Sequence, residues 1–252
     1  VTRRARSVAP QNATDHCNRA LALQAAGDHE QALAHLGQGI SLAPERVEFY
    51  LNAGAIYEDV GNYAEAEVWY RRAIGVNPNH APAFFSLGNA LRRAGRLQRA
   101  ADAFRAASEF QVDHLPAIRN LANAQLELGR ERAALAQFDR GLRLQPENPD
   151  FHYGRGCALR QMRRLDDAEQ AFERAIELDS GHVAAHYGRG LTMLARGDLV
   201  AGWDNYCGHE VSDTFPAGES PRIPRWNGEP LAGKSLLVHS GDARHLEILF
   251  AS

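Results

Sequence analysis

Glycine recurs at one fixed interval. It stands at Gly27, Gly61, Gly95, Gly129 and Gly197, in steps of 34 residues with one step skipped. Arg163 fills the skipped place without breaking the frame. Other columns run in the same register. Small residues follow at Ala32, Ala66, Ala100, Ala134, Ala168 and Gly202. Large ones come at Leu36, Tyr70, Phe104, Phe138, Phe172 and Tyr206. Ahead of each glycine position lie Ala20, Gly54, Gly88, Ala122, Gly156 and Gly190. A period of this length marks stacked supersecondary units, none of which buries its apolar face alone. Each unit has room for two ordinary helices. The glycine between them permits the left-handed backbone that ends the first helix. The small columns let the helices approach, and the large column fills the space between units. Pro44, Pro78 and Pro146 stop the second helix in three units. Phe84, Phe104, Phe138 and Phe172 are therefore expected in the packing rather than in a cofactor site.

In length and in its small, aromatic and proline positions the pattern resembles the tetratricopeptide repeat. The resemblance implies an all-α, right-handed superhelix of six helical hairpins. They run over residues 13–46, 47–80, 81–114, 115–148, 149–182 and 183–216, the last degenerate. Residues 1–12 precede them as an N-terminal extension. Hairpins should turn near Gly27, Gly61, Gly95, Gly129, Arg163 and Gly197.

Composition narrows the function classes. Hydrophobic residues make up 44% and charged residues 23% of 252 residues, as in a soluble globular protein. The net charge of −3 gives no general attraction for nucleic acid. No stretch reaches the roughly 20 apolar residues that a membrane helix needs. Cys17, Cys157 and Cys207 lie far apart, with no metal or disulfide spacing, which fits a reducing cytoplasm. The chain opens on Val1 rather than Met, so a few residues are expected ahead of it.

Residues 217–252 change character. After a proline-rich stretch, Ser235–His239 reads as a buried strand and Ala243–Ala251 as the start of a helix. Gly197-Asp198, Gly202-Trp203 and Tyr206 are followed by Pro224 to Lys234 and then by Leu236-Leu237-Val238. Together they resemble the junction in bacterial proteins where such repeats precede a glycosyltransferase-like domain. That resemblance implies a truncated α/β domain whose catalytic residues would lie beyond Ser252, leaving this chain without transferase activity. Residues 228–235 match the letters of a phosphate-binding loop. The flanking pattern is wrong for one, because a strand follows where a helix should begin, and Pro230 removes an amide. His182 and His186 are spaced like helical metal ligands. Each falls in a repeat column, with His80 and His114 or with His16 and His152, so no metal is needed to explain them. No cofactor and no catalytic group are expected.

The expected function is a non-enzymatic scaffold that holds an extended peptide or partner protein on the concave face made by the first helices. The alternative is the substrate-recognition arm of a glycosyltransferase-like enzyme. Self-association through the ends of the solenoid or the unpaired strand is a third reading. In the third unit Phe84, Leu87, Gly88 and Leu91 form the packed side. This leaves Pro82, Phe85, Ser86, Asn89, Arg92 and Arg93 opposite. The same frame gives Asn52, Glu58 and Asp59; then Arg119, Asn120 and Asn123; then Tyr153 and Arg160; then Tyr187. Asn18, Asn52 and Asn120 share a column that resembles the asparagine ladder of some family members. Ser86, Gly154 and Gly188 interrupt it. An amide both donates and accepts, so it can pair with peptide groups of any sequence. The carboxylate clamp of a chaperone-binding subclass is matched only at Arg119 and Asn123; Gly154, Ala184 and Gly188 stand where its other groups would be. Arg92, Arg93, Arg119 and Arg160 predict a basic middle groove and an extended or acidic polypeptide partner lying across the third to fifth units.

Overall fold

The computed structural model describes residues 12–207, 236–239 and 245–248. Twelve helices form six antiparallel pairs among them. The first helices are α1 (Ala13–Ala25), α3 (Val47–Asp59), α5 (Ala81–Arg93), α7 (Leu115–Glu127), α9 (Pro149–Gln161) and α11 (Val183–Arg196). Their partners are α2 (His29–Leu42), α4 (Tyr63–Val76), α6 (Leu97–Phe110), α8 (Glu131–Leu144), α10 (Leu165–Leu178) and α12 (Leu199–Cys207). Each second helix also packs on the first helix of the next unit. The hairpin units therefore stack as the 34-residue period requires.

The turns show why the period exists. At each hairpin the residue after the glycine column donates its N–H back to a carbonyl in the last turn. Asp28 reaches Leu23, Asn62 reaches Tyr57, and Arg130 reaches Gln125, at 2.8–2.9 Å. These bonds need a left-handed residue between them. Gly27, Gly61, Gly95, Gly129 and Gly197 all have positive φ. Arg163 adopts the same conformation at φ 63°, and Arg164 N–H still reaches Leu159 O at 2.9 Å. Stacking on both sides imposes the turn on a residue that disfavours it.

Side-chain caps start many of the helices. Asn12, Asp28, Asn62 and Asn148 accept a backbone N–H of the first turn. His80, His114 and His182 do the same through Nδ1, to Ala83, Ala117 and Ala185, at 3.1–3.2 Å. His152 and His186 pair through Nε2 with Pro146 O and Ser180 O. The first histidine column thus caps helices, and His152 and His186 of the second hold the preceding loop, while His16 in that column faces His35.

The large column is the core. Leu36, Tyr70, Phe104, Phe138 and Phe172 are 0–2% exposed. Each ring slots between two backbones. A Cβ on Gly54, Gly88 or Gly156 would meet the ring of Tyr70, Phe104 or Phe172 at 2.5–2.7 Å. Leu87, Gly88 and Leu91 are buried, whereas Phe84 is half-buried against Phe110, with ring centroids 5.4 Å apart. A second column shows size exchange. Where the second helix has Gly39 or Gly141, the next unit inserts Phe49 or Phe151; a Cβ there would lie 2.2–2.3 Å from the ring. Where it has Ala73 or Ala107, the next unit has Ala83 or Ala117, all fully buried. Glycine–phenylalanine and alanine–alanine fill the same gap.

The tail departs from expectation. Leu236–His239 is a strand, β1, as read from its apolar run. His245–Ile248 is a second strand, β2, where a helix start was expected. It returns antiparallel to β1, with Leu236 opposite Ile248 and His239 opposite His245. Its alternation of polar and apolar residues suits a strand, and pairing supplies the backbone partners that an isolated strand lacks. The loop-like motif at residues 228–235 lies outside the described residues, as does His209 in the degenerate sixth unit. No helix among the described residues is long and apolar enough to cross a membrane.

Candidate polypeptide-binding groove

The first helices form the inner layer. α1 lies beside α3, α3 beside α5, α7 beside α9, and α9 beside α11. Their free faces line one groove, and its centre is a pocket of about 260 Å³. Arg92 of α5, Arg119, Asn120 and Asn123 of α7, and Asp150, Tyr153 and Gly154 of α9 line it. Five of these residues are groove positions read from the repeat frame. They reach one place because a whole-period offset returns a side chain to the same face of the next first helix.

The pocket's polar groups are only partly committed. Asn120 donates through Nδ2 to Asn89 Oδ1 at 3.1 Å, linking α7 to α5. Among the described residues Arg92 has no ion-pair partner. Arg119 is held: its Nη1 donates to Asp150 Oδ2 at 2.5 Å. The frame did not flag Asp150, because an acid in the first turn of a helix reads as a dipole partner. Its spacing from Arg119, three short of a full period, was the available signal. The middle groove is therefore less basic than a count of its arginines suggests.

Other predicted residues fall near the pocket or away from it. Phe85 stacks on Phe104 and His114, with centroids 5.8 and 4.9 Å apart. Tyr153 repeats this two units on, against Phe172 and His182 at 5.9 and 5.2 Å. Burial pushes the Tyr153 hydroxyl well above its ordinary pKa, so it stays a neutral donor. Cys157 beside it is pushed up too, chiefly by burial, against the opposing pull of its Tyr153 hydrogen bond and the Arg160 charge. It is a thiol, not a reactive thiolate. Arg160 has a buried Nε without a hydrogen-bond partner, and Tyr187 lies half-buried on α11. Arg93 lies outside the pocket lining, and the neighbouring Tyr63 hydroxyl, with Glu58 and Asp59 near it, raises its pKa.

The asparagine column is discontinuous, and at its two glycines a ring lies close. Asn18 is exposed and Asn52 donates through Nδ2 to Cys17 Sγ at 3.4 Å, both in the first two units. At Gly154 and Gly188 a Cβ would lie 2.1 and 2.7 Å from the rings of Phe138 and Phe172. In these two units the core aromatic of the preceding unit fills that space, whereas Asn120 is accommodated in the unit after Phe104.

Comparison with known proteins agrees with this architecture. Tetratricopeptide repeat family profiles match residues 23–91, 119–161 and 149–182, together more than half the chain. The chain belongs to the tetratricopeptide repeat proteins, whose architecture is that of protein-interaction scaffolds. Several solved structures share the fold. A tetratricopeptide repeat protein from Parabacteroides merdae is 16% identical, with TM-score 0.68 over 78% of each chain. YrrB, described as having an unusual peptide-binding site, is 21% identical with TM-score 0.60, over 69% of this chain and 92% of its own. MamA is 21% identical with TM-score 0.61, over 67% and 92%. No curated protein sequence gives a significant match.

Proposed function

We propose that this protein is a non-enzymatic scaffold that binds an extended, acidic polypeptide across its third to fifth units. The observation that carries the reading is the pocket shared by Arg92, Arg119, Asn120, Asn123 and Tyr153. Three consecutive units contribute to it, so a ligand must run along the groove to use it. The asparagines suit peptide groups and the arginines suit carboxylates. The peptide-binding site described for YrrB, which has a similar fold, is in keeping with this use. Cys17 and Cys157 are free thiols, which suits a reducing cytoplasm. No observation among the described residues favours the glycosyltransferase arm over the scaffold.

Affinity capture from the source cell with the wild-type chain identifies the partner. Arg92→Glu/Arg119→Glu is then compared with Arg174→Glu on the outer helix α10. Loss of binding in the groove variant alone is expected. Equal binding by all three, with unchanged salt dependence, would place the interface elsewhere.

A further inference from the structure

Among the described residues Asp150 is the one acid in the pocket, and it faces two partners at once. It meets Arg119 in an open setting, with the two side chains 49% and 43% exposed. Such a pair contributes little to folding. Its other oxygen, Oδ1, lies 3.4 Å from His182 Nε2. His182 Nδ1 accepts the Ala185 N–H, so the neutral ring carries its proton on Nε2, facing Asp150. That Nε2 is buried and has no hydrogen-bond partner at ordinary distance. Asp150 thus stands between a cation it holds and a donor it has not closed on.

We propose that Asp150 is an internal stand-in for a ligand carboxylate, and that an acidic side chain of the bound polypeptide displaces it from Arg119 while Asp150 closes on His182. This deepens the groove reading and rests on it. The pocket offers one cation without an ion pair, Arg92, and one that is already occupied, Arg119. An acidic segment can pair with Arg92 directly but gains Arg119 only by competing with Asp150, and a neutral segment gains nothing from the exchange. Asp150 therefore sets specificity. It competes with any acid that reaches Arg119, and leaves only chains that present a carboxylate at the α7–α9 crossing able to seat fully.

The test uses the full chain and two fluorescein-labelled dodecapeptides, one of repeating Glu-Gly-Ser and one of repeating Gln-Gly-Ser, read by anisotropy. Asp150→Asn should bind the Glu peptide about fivefold more tightly than wild type, the scale of one exposed ion pair. Binding of the Gln peptide should not change. The gain should vanish in Asp150→Asn/Arg119→Gln. Asp167→Asn removes the same charge from α10, where Asp167 pairs with Arg164; it should give less than half the gain. Thermal melts accompany each variant. If Asp150→Asn lowers the midpoint, Asp150→Ser repeats the measurement. A gain that persists without Arg119, or is matched by Asp167→Asn, overturns the proposal. So does an Asp150→Asn that binds no better than wild type while Arg119→Gln binds worse; in that case the groove reading survives. If Arg92→Glu/Arg119→Glu and Asp150→Asn all bind the Glu peptide as wild type does, both readings fall.

Discussion

The first two units and the middle of the inner layer use one frame to opposite effect. In the first two units the polar groove groups satisfy each other. Gln24 donates to Asp59 at 2.7 Å, Tyr70 donates to Glu58 at 2.5 Å, and Asn52 is spent on Cys17. Burial and the Glu58 hydrogen bond push Tyr70 far above its ordinary pKa, so that donor stays in place. In the third to fifth units the equivalent positions carry Arg92 and Arg160 where Glu58 stood, and the pocket opens between α5, α7 and α9. The backbone is the same in both regions. The difference lies in columns that do not pack, and there the sequence is free to encode a ligand.

That contrast depends on a rigid floor. Phe138 is fully buried and its ring abuts Gly154 at the pocket edge. Phe138→Ala should cost about 3–5 kcal/mol in chemical denaturation, because it opens a cavity between units. Leu36→Ala, its counterpart in the terminal unit, should cost less, since that unit is covered on one side only. Equal costs would mean that the two regions are equally braced.

Gly154→Asn asks whether the ladder can be extended into the pocket. A Cβ there would lie 2.1 Å from Phe138 Cε1, so the ring must move. Overpacking of this kind costs about 1–3 kcal/mol. A melt unchanged from wild type would show that the column was interrupted by choice of ligand and not by packing.

Much of this was legible from the residues. The glycine, small and aromatic columns fix the hairpins, because each does the same packing task in every unit. His80, His114 and His182 fell into their capping column for the same reason. The period even placed Arg163 in its turn, although nothing about arginine favours φ 63°. Relations between units were hidden. Asp150 meets Arg119 only through the offset between neighbouring first helices. β2 was missed because four alternating residues are too few to outweigh a helical reading. Arg163→Gly checks the frame directly. Relief of a left-handed side chain should raise stability by about 0.5–1 kcal/mol, less any entropy added to the unfolded chain.

The smallest effect should be confined to the N-terminal region. His16 Nδ1 and His35 Nδ1 are 3.1 Å apart across the α1–α2 hairpin, with ring centroids 5.3 Å apart. Burial, then the charge of His16, then that of Arg19 lower the His35 pKa below 6.5. A proton on His35 is therefore taken up more readily by the unfolded unit than by the folded one. Its contribution to stability is complete above about pH 6.5 and declines as pH falls below it. Amide exchange in α1 and α2 should speed up between pH 7 and pH 5.5, after correction for intrinsic rates, while α7 and α9 stay protected. His35→Gln should remove most of that local response. If α1 and α2 respond to pH as before in His35→Gln, the hairpin is loosened by its terminal position and not by the histidine pair.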